Sequence, residues 1–283
     1  MPGTSSAPTV VITGASAGIG AAAVRRFARG GYRVALAARR RERLEALASE
    51  LRAGGAEALV VPTDVTDWSQ VHTLAQTVLE RWGYVDVLIN NAGLGRLARL
   101  DDLDPQADVA FQIQVNLTGA IWVAQAFLPA MRARRRGVII NVSSVAGWVG
   151  LPLYTVYAAT KFGLRGFTES LRREVLREGI HVVGFYPGPV ATEFGQHAFK
   201  RASDRPRAAS WPGVALSADA VAEALWDLAH HPRRGVVQPW WMAPLVWLNA
   251  HVPWLGDWLL NRVMLRSAKA PKARDPNAEE RSP

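Results

Sequence analysis

Short apolar runs alternate with longer amphipathic ones from residue 9 to residue 237, and this alternation restricts the fold of the 283-residue chain more than any other feature. Segments 9–13, 33–38, 58–62, 85–90, 138–143, 181–186 and 236–237 are rich in Val, Ile, Leu and Ala and read as strands. Segments 21–29, 40–53, 67–82, 107–134, 154–178 and 218–230 carry helical periodicity. Gly30-Gly31, Gly54-Gly55 and Gly83 close the first three helices, Ser217 stands at the start of the last, and Pro232 stops it. Strands separated by helices of this length pair in parallel and must be covered on both faces. The expectation is an α/β fold: one Rossmann-type, doubly wound parallel sheet of about seven strands over residues 1–238. An apolar helical extension over 239–269 and a disordered tail over 270–283 follow it.

Composition excludes several kinds of function. The chain has no cysteine, so disulfides, thiolate nucleophiles and Cys-ligated metals are ruled out, and the six His show no ligand spacing. No metal is expected. The net charge of +9 invites a nucleic-acid reading, but the Arg residues are scattered in short clusters with no basic helix and no interleaved aromatics. No nucleic-acid partner is expected. Residues 1–8 are small and polar, without the charged and apolar regions of a secretory signal, which leads to the expectation of a cytoplasmic protein.

The first strand runs directly into Gly14-Ala15-Ser16-Ala17-Gly18-Ile19-Gly20, and a helix follows. A glycine-rich turn at that place brings a dinucleotide pyrophosphate onto free helix N–H groups. The second strand ends at Arg39-Arg40, where an NAD-binding protein would hold the ribose hydroxyls with a carboxylate. Two guanidiniums suit a 2′-phosphate instead, and the Ser16 hydroxyl would add a donor, so NADP(H) is expected ahead of NAD(H). The plainer alternative is that these arginines merely open the next helix, beside Glu42 and Glu45.

Tyr157 and Lys161 stand four residues apart in Tyr157-Ala158-Ala159-Thr160-Lys161, one turn along a single helix face. Free tyrosine titrates near ~10 and is a poor acid–base at neutral pH, whereas a neighbouring cation favours the phenolate. Only four of the 33 basic residues are Lys, so an ammonium at this spacing stands out against a chain that otherwise uses Arg.

Taken in order, these segments resemble the classical short-chain dehydrogenase/reductase family over about residues 10–237. The residues that carry the likeness are Thr13 to Gly20, Asp64-Val65, Asn90-Asn91-Ala92-Gly93, Asn116, Ser143-Ser144-Val145-Ala146-Gly147, Tyr157 to Lys161, and Pro187-Gly188-Pro189-Val190-Ala191-Thr192. The resemblance implies a catalytic set of Asn116, Ser144, Tyr157 and Lys161. Ser144, thirteen residues before Tyr157, would hydrogen-bond the substrate oxygen. Tyr157 would give or take its proton, and Lys161 would bind the nicotinamide ribose and lower the tyrosine pKa. Asn116 would hold a relay water. The cofactor would be held by Gly14, Ser16, Gly18, Ile19, Gly20, Arg39, Arg40, Asp64, Val65, Asn91, Ala92, Gly93, Tyr157, Lys161, Pro187, Gly188, Val190 and Thr192. Asp64 and Val65 would flank the adenine, Asn91 would steady the central strand and the ribose, and Pro187, Gly188 and Thr192 would border the nicotinamide. One departure is Ala17, where many NADP-preferring members carry a basic residue in the loop. The implied activity is NADP(H)-dependent interconversion of a carbonyl and an alcohol by a homodimer or homotetramer. The alternatives are an NAD-dependent dehydrogenase acting on a lipid- or steroid-like alcohol, and a non-catalytic nucleotide-sensing protein.

Leu94, Leu97, Trp148, Val149, Leu151, Leu153 and Tyr154, with Phe194, Phe199 and Trp211 in the loop 193–212, predict a small hydrophobic alcohol or ketone as substrate. Beyond the last strand, five of the eleven Trp fall in 238–266: Trp240, Trp241, Trp247, Trp254 and Trp258. Pro253 opens a second short helix there. Three roles are open to this segment: a cover for its own subunit, a subunit interface, or peripheral contact with a membrane surface.

Overall fold

The computed structural model describes residues 7–198 and 215–264. The expectations for Phe199 and Trp211, for the rest of the loop through 212, and for the tail from residue 265 fall outside the described residues. Seven strands form one parallel sheet: β1 (Thr9–Thr13), β2 (Arg33–Ala38), β3 (Ala58–Pro62), β4 (Val87–Asn90), β5 (Gly137–Val142), β6 (Ile180–Pro187) and β7 (Gly235–Gln238). Their order is β3-β2-β1-β4-β5-β6-β7. The register pairs Val11 with Ala35 on one side of β1 and with Leu88 on the other. The order reverses between β1 and β4, the kind of switch point at which open parallel sheets bind ligands.

Strand alternation divides the core in two. Val10, Ile12, Val34 and Leu36 point to one face and meet Phe27 of α1 (Gly18–Arg29), Leu44 of α2 (Arg41–Ala53) and Leu225 of α8 (Ala218–His230). Val11, Ala35, Leu88 and Ile139 point to the other. They meet Leu74 of α3 (Trp68–Trp82), Phe127 of α5 (Gly119–Arg134) and Leu171 of α6 (Thr155–Glu174). Asp67 starts α3 by accepting hydrogen bonds from the Ser69 and Gln70 amides, and Gly83 ends it in the left-handed region with φ of 80°. Ser217 caps α8 through the Ala220 amide, as its position predicted.

Differences from the sequence reading are local. α1 begins three residues earlier than expected, at Gly18, inside the glycine loop itself. The long helix expected over 107–134 starts at Pro105, because Asp104 accepts from the Gln106 and Ala107 amides. It is not uniform: π-helical turns at Pro105–Ala110 and Gln114–Thr118 flank the short α4 (Phe111–Ile113) before α5. A polar ladder runs through the core. The Asn90 amide donates to Asn141 Oδ1 (3.0 Å) and the Asn141 amide donates to Thr168 Oγ1 (2.9 Å), tying β4, β5 and α6 together.

Past β7, a 3-10 turn at Trp240–Met242 leads into α9 (Ala243–His251) and α10 (Pro253–Met264). Pro253 opens α10, as expected. The extension is anchored on its own subunit: Val246 is buried, and with Met242 it packs on Val145, Val149, Trp148 and Leu151. No described helix is long and apolar enough to cross a membrane.

Candidate active site

A parallel sheet delivers the C-terminal ends of all its strands to one edge, so segments far apart in sequence meet there: 14–20 after β1, 39–40 after β2, 91–95 after β4, 143–147 after β5 and 187–192 after β6. The glycine loop is shaped for close approach. Gly14 sits at φ +66°, and a side chain at Gly20 would run into the Gly14 carbonyl. Ala17 offers no side-chain cap to α1, and no acidic residue lies in the first turn, so these N–H groups face the loop without a protein anion. Asn91 braces the cradle, its amide donating to the Thr13 carbonyl (3.0 Å), while Thr13 Oγ1 accepts from the Asn91 and Ala92 amides. Gly93 lies against Asn116 and Lys161: a Cβ there would sit 3.3 Å from Asn116 Oδ1 and 3.6 Å from Lys161 Nζ. Ile19 packs against the sheet core, and Val65 is buried with its side chain against Gly119.

The strand-end arginines behave differently from one another. Arg40 donates to Ser16 Oγ from Nε (3.2 Å) and Nη2 (3.0 Å), bringing the two groups expected at a 2′-phosphate into contact. Arg39 instead lies 3.9 Å from Asp64 and over the Phe111 ring at 5.9 Å. Asp64 also accepts from the Thr66 amide and hydroxyl, so it serves as a turn residue as well as lying at the loop. Sequence reasoning missed the third component. Glu193 opens the short α7 (Glu193–His197), takes two hydrogen bonds from Arg43 (3.0 and 2.9 Å), and lies 3.6 Å from Arg40. Residues 150 positions apart gave no local signal of this pairing.

On the other side of the crevice, Tyr157 and Lys161 are both buried on α6. The Ser144 hydroxyl hydrogen-bonds the Tyr157 phenol. The neighbouring Ser143 donates to the Lys161 carbonyl (3.1 Å), which leaves Ser144 as the serine at the phenol. Lys161 Nζ lies 5.6 Å from the Tyr157 ring centre and donates to the Val142 carbonyl at 3.1 Å. Burial raises the Tyr157 pKa well above its ordinary value, and the Ser144 hydrogen bond pulls it down in part. Burial lowers Lys161 to about 8.

Asn116 lies within the second π-helical turn, a distortion common at functional positions. Its Oδ1 accepts from the Leu94 amide (2.8 Å), and its Nδ2 donates to the Leu94 carbonyl (2.8 Å) and to Thr160 Oγ1 (3.2 Å). With both ends engaged, the side chain clamps the 91–95 loop. Pro187 ends β6, and Gly188 follows it, its amide donating to the Gln238 carbonyl. Val190 bridges Leu216, and the Thr192 side chain rests on Gly18. Thr192 precedes α7 without capping it.

The apolar wall is only partly as expected. Leu97 and Val149 are buried in packing, whereas Phe194 is partly exposed with its ring 5.8 Å from that of Tyr157. Leu153 holds φ of 71°, a strained value for leucine, beside Tyr154.

Three comparisons place this arrangement. A family model described as short chain dehydrogenase matches residues 8–203. The chain is 32% identical to the uncharacterized oxidoreductase YxnA of Bacillus subtilis over 95% of its own length and 76% of the relative's. It is 34% identical to the NADP-dependent 3-hydroxy acid dehydrogenase YdfG of Salmonella typhi, covering 79% of this chain and 89% of that one. A short chain dehydrogenase/reductase from Burkholderia phymatum, solved in complex with NAD, superposes with a TM-score of 0.79 at 28% identity over 88% of this chain and 95% of that one. With the switch-point crevice, the glycine cradle and the Ser144–Tyr157–Lys161 cluster on one sheet edge, the chain belongs to the short chain dehydrogenase family.

Proposed function

We infer that this oxidoreductase interconverts a carbonyl and an alcohol on a small hydrophobic substrate with NADP(H). The observation that carries the reading is the Ser144 hydroxyl on the buried Tyr157 phenol, with Lys161 one helical turn away. The nicotinamide would supply the hydride. The protein has to orient the carbonyl and give its oxygen hydrogen-bond donors and one proton. Burial raises the Tyr157 pKa, so at neutral pH the phenol holds the proton that it would give to a carbonyl oxygen. Ser144 is the second donor to the same oxygen. Lys161, its Nζ 5.6 Å from the Tyr157 ring centre, would hold a ribose hydroxyl. Asn116 acts as a positioning residue, fixing the 91–95 loop against Thr160.

NADP(H) is favoured over NAD(H) by the Arg40–Ser16 contact beside the exposed Arg39, and by the NADP dependence of the relative YdfG. The cradle fits a dinucleotide because a side chain at Gly20 would fill it. The partly exposed Phe194 ring near Tyr157 supports an apolar substrate. Assembly as a homodimer or homotetramer in the cytoplasm completes the proposal.

Tyr157→Phe tests it. Turnover of hydrophobic ketones, followed by NADPH oxidation, is expected to fall by about 10²- to 10⁴-fold, the usual worth of a positioned acid–base. NADPH binding should survive. Undiminished turnover would remove Tyr157 from the chemistry, and loss of NADPH binding with turnover would reduce it to a structural residue.

A further inference from the structure

We propose that the outer face of the C-terminal extension is a docking surface for an anionic lipid bilayer. The observation is a cluster of large apolar side chains turned to solvent on the 3-10 turn, α9 and α10. Trp240 is 79% exposed and Trp254 70%, and Trp247, Trp258 and Leu245 are half exposed or more. Trp82, in the sheet domain, is by contrast buried at 7%. No residue from Trp240 to Ala250 carries a formal charge, yet of α9 only Val246 is buried. A helix apolar all round needs an apolar medium on more than one side, and its own subunit supplies one side only. The described helices are too short and interrupted to cross a bilayer, so the geometry is that of segments lying in the surface plane.

Two features select lipid over a second copy of the chain. The exposed residues are chiefly Trp, whose amphipathic ring prefers the boundary between headgroups and hydrocarbon. The sequence from Arg262 to Arg274 then carries Arg262, Arg266, Lys269, Lys272 and Arg274 with no acidic residue among them. An anionic headgroup layer complements them, each basic residue near the surface adding to the attraction. The face adjoins the candidate active site through Val246 and Met242, which pack beside Val145 and Val149 after Ser144, and Met242 also lies against Gly188. Docking would set the crevice near the medium in which a hydrophobic substrate dissolves. The lipid contact itself does not rest on the dehydrogenase reading.

The test is vesicle flotation of the full chain, which needs no turnover. Phosphatidylcholine vesicles with about one-third phosphatidylserine are compared with pure phosphatidylcholine, using wild type and a Trp240→Ala/Trp247→Ala/Trp254→Ala variant. Circular dichroism and NADPH binding verify that the variant is folded. The wild type is expected to float with anionic vesicles at least several-fold more than with neutral ones, and the variant to lose at least tenfold of that partitioning. Brominated lipid should quench the wild-type tryptophan fluorescence. Failure of the wild type to float would overturn the proposal, as would full retention by the variant, which would leave the basic segment acting without the face. A variant that changes sedimentation from oligomer to monomer while floating as wild type would assign the face to a second copy, with the same consequence.

Discussion

Arg39 and Arg40 are adjacent in sequence but perform different tasks. Arg40 reaches Ser16 in the glycine loop, whereas Arg39 turns to Asp64 and the Phe111 ring. A 2′-phosphate would meet Arg40 and Ser16 together, with charge-assisted hydrogen bonds of about 1.5–3 kcal/mol each. Arg40→Ala is therefore expected to weaken NADPH binding by about ten- to a hundredfold while changing NADH binding little, as read by fluorescence titration. Equal loss for both cofactors would show that Arg40 only supports the loop. The sequence revealed that two cations stand at the strand end. It could not reveal which one turns inward, because that depends on the path of the 64–66 turn, which gives Arg39 a carboxylate of its own.

At the scale of elements, α7 joins the two sides of the crevice. Glu193 ties its first turn to Arg43 and Arg40, and Phe194 on the next position faces Tyr157. The Arg43 and Arg40 guanidiniums hold the Glu193 carboxyl below its usual range, so it is anionic at neutral pH beside the proposed phosphate site. Glu193→Gln should remove a like charge and tighten NADPH by a few-fold, the scale of an exposed charge pair, with NADH unaffected. An identical response by both cofactors would indicate that the pair serves only to hold α7. The interval Tyr157 to Lys161 was legible because helical spacing is a local property. The Glu193 latch was not, since it joins the end of β6 to α2 through space. The two π-helical turns were also hidden: their extra residue leaves the apolar pattern of a helix almost intact.

For the molecule as a whole, a buried cation is a cost that depends on pH. Lys161 titrates near 8 in the fold and near ~10.4 in an unfolded chain, so the folded form releases its proton first as pH rises. The penalty of burying the charge is fully present below about 8 and is relieved between there and the unfolded value. Measured against Lys161→Met, the wild type should gain up to about 3 kcal/mol of unfolding free energy over that interval, seen by urea denaturation across the pH range. A pH-independent difference would show that the ammonium is better solvated than its burial implies. Tyr157, raised by burial, works in the opposite sense above its unfolded pKa, so the comparison is cleanest below about pH 10.

The alternation of apolar and amphipathic segments by itself determined the parallel sheet and its seven strands, because burial on two faces leaves that chain pattern few other solutions. The glycine loop and the tyrosine–lysine interval were equally present in one dimension, since both are built within a single turn or helix. The tertiary structure alone decided that Ser143 donates to the Lys161 carbonyl and that Asn116 spends its amide on Leu94 and Thr160. It also decided that burial raises the Tyr157 phenol and lowers the Lys161 ammonium. Each of these depends on where strand ends converge and how deeply a group is desolvated, and desolvation is set by every neighbour in space at once.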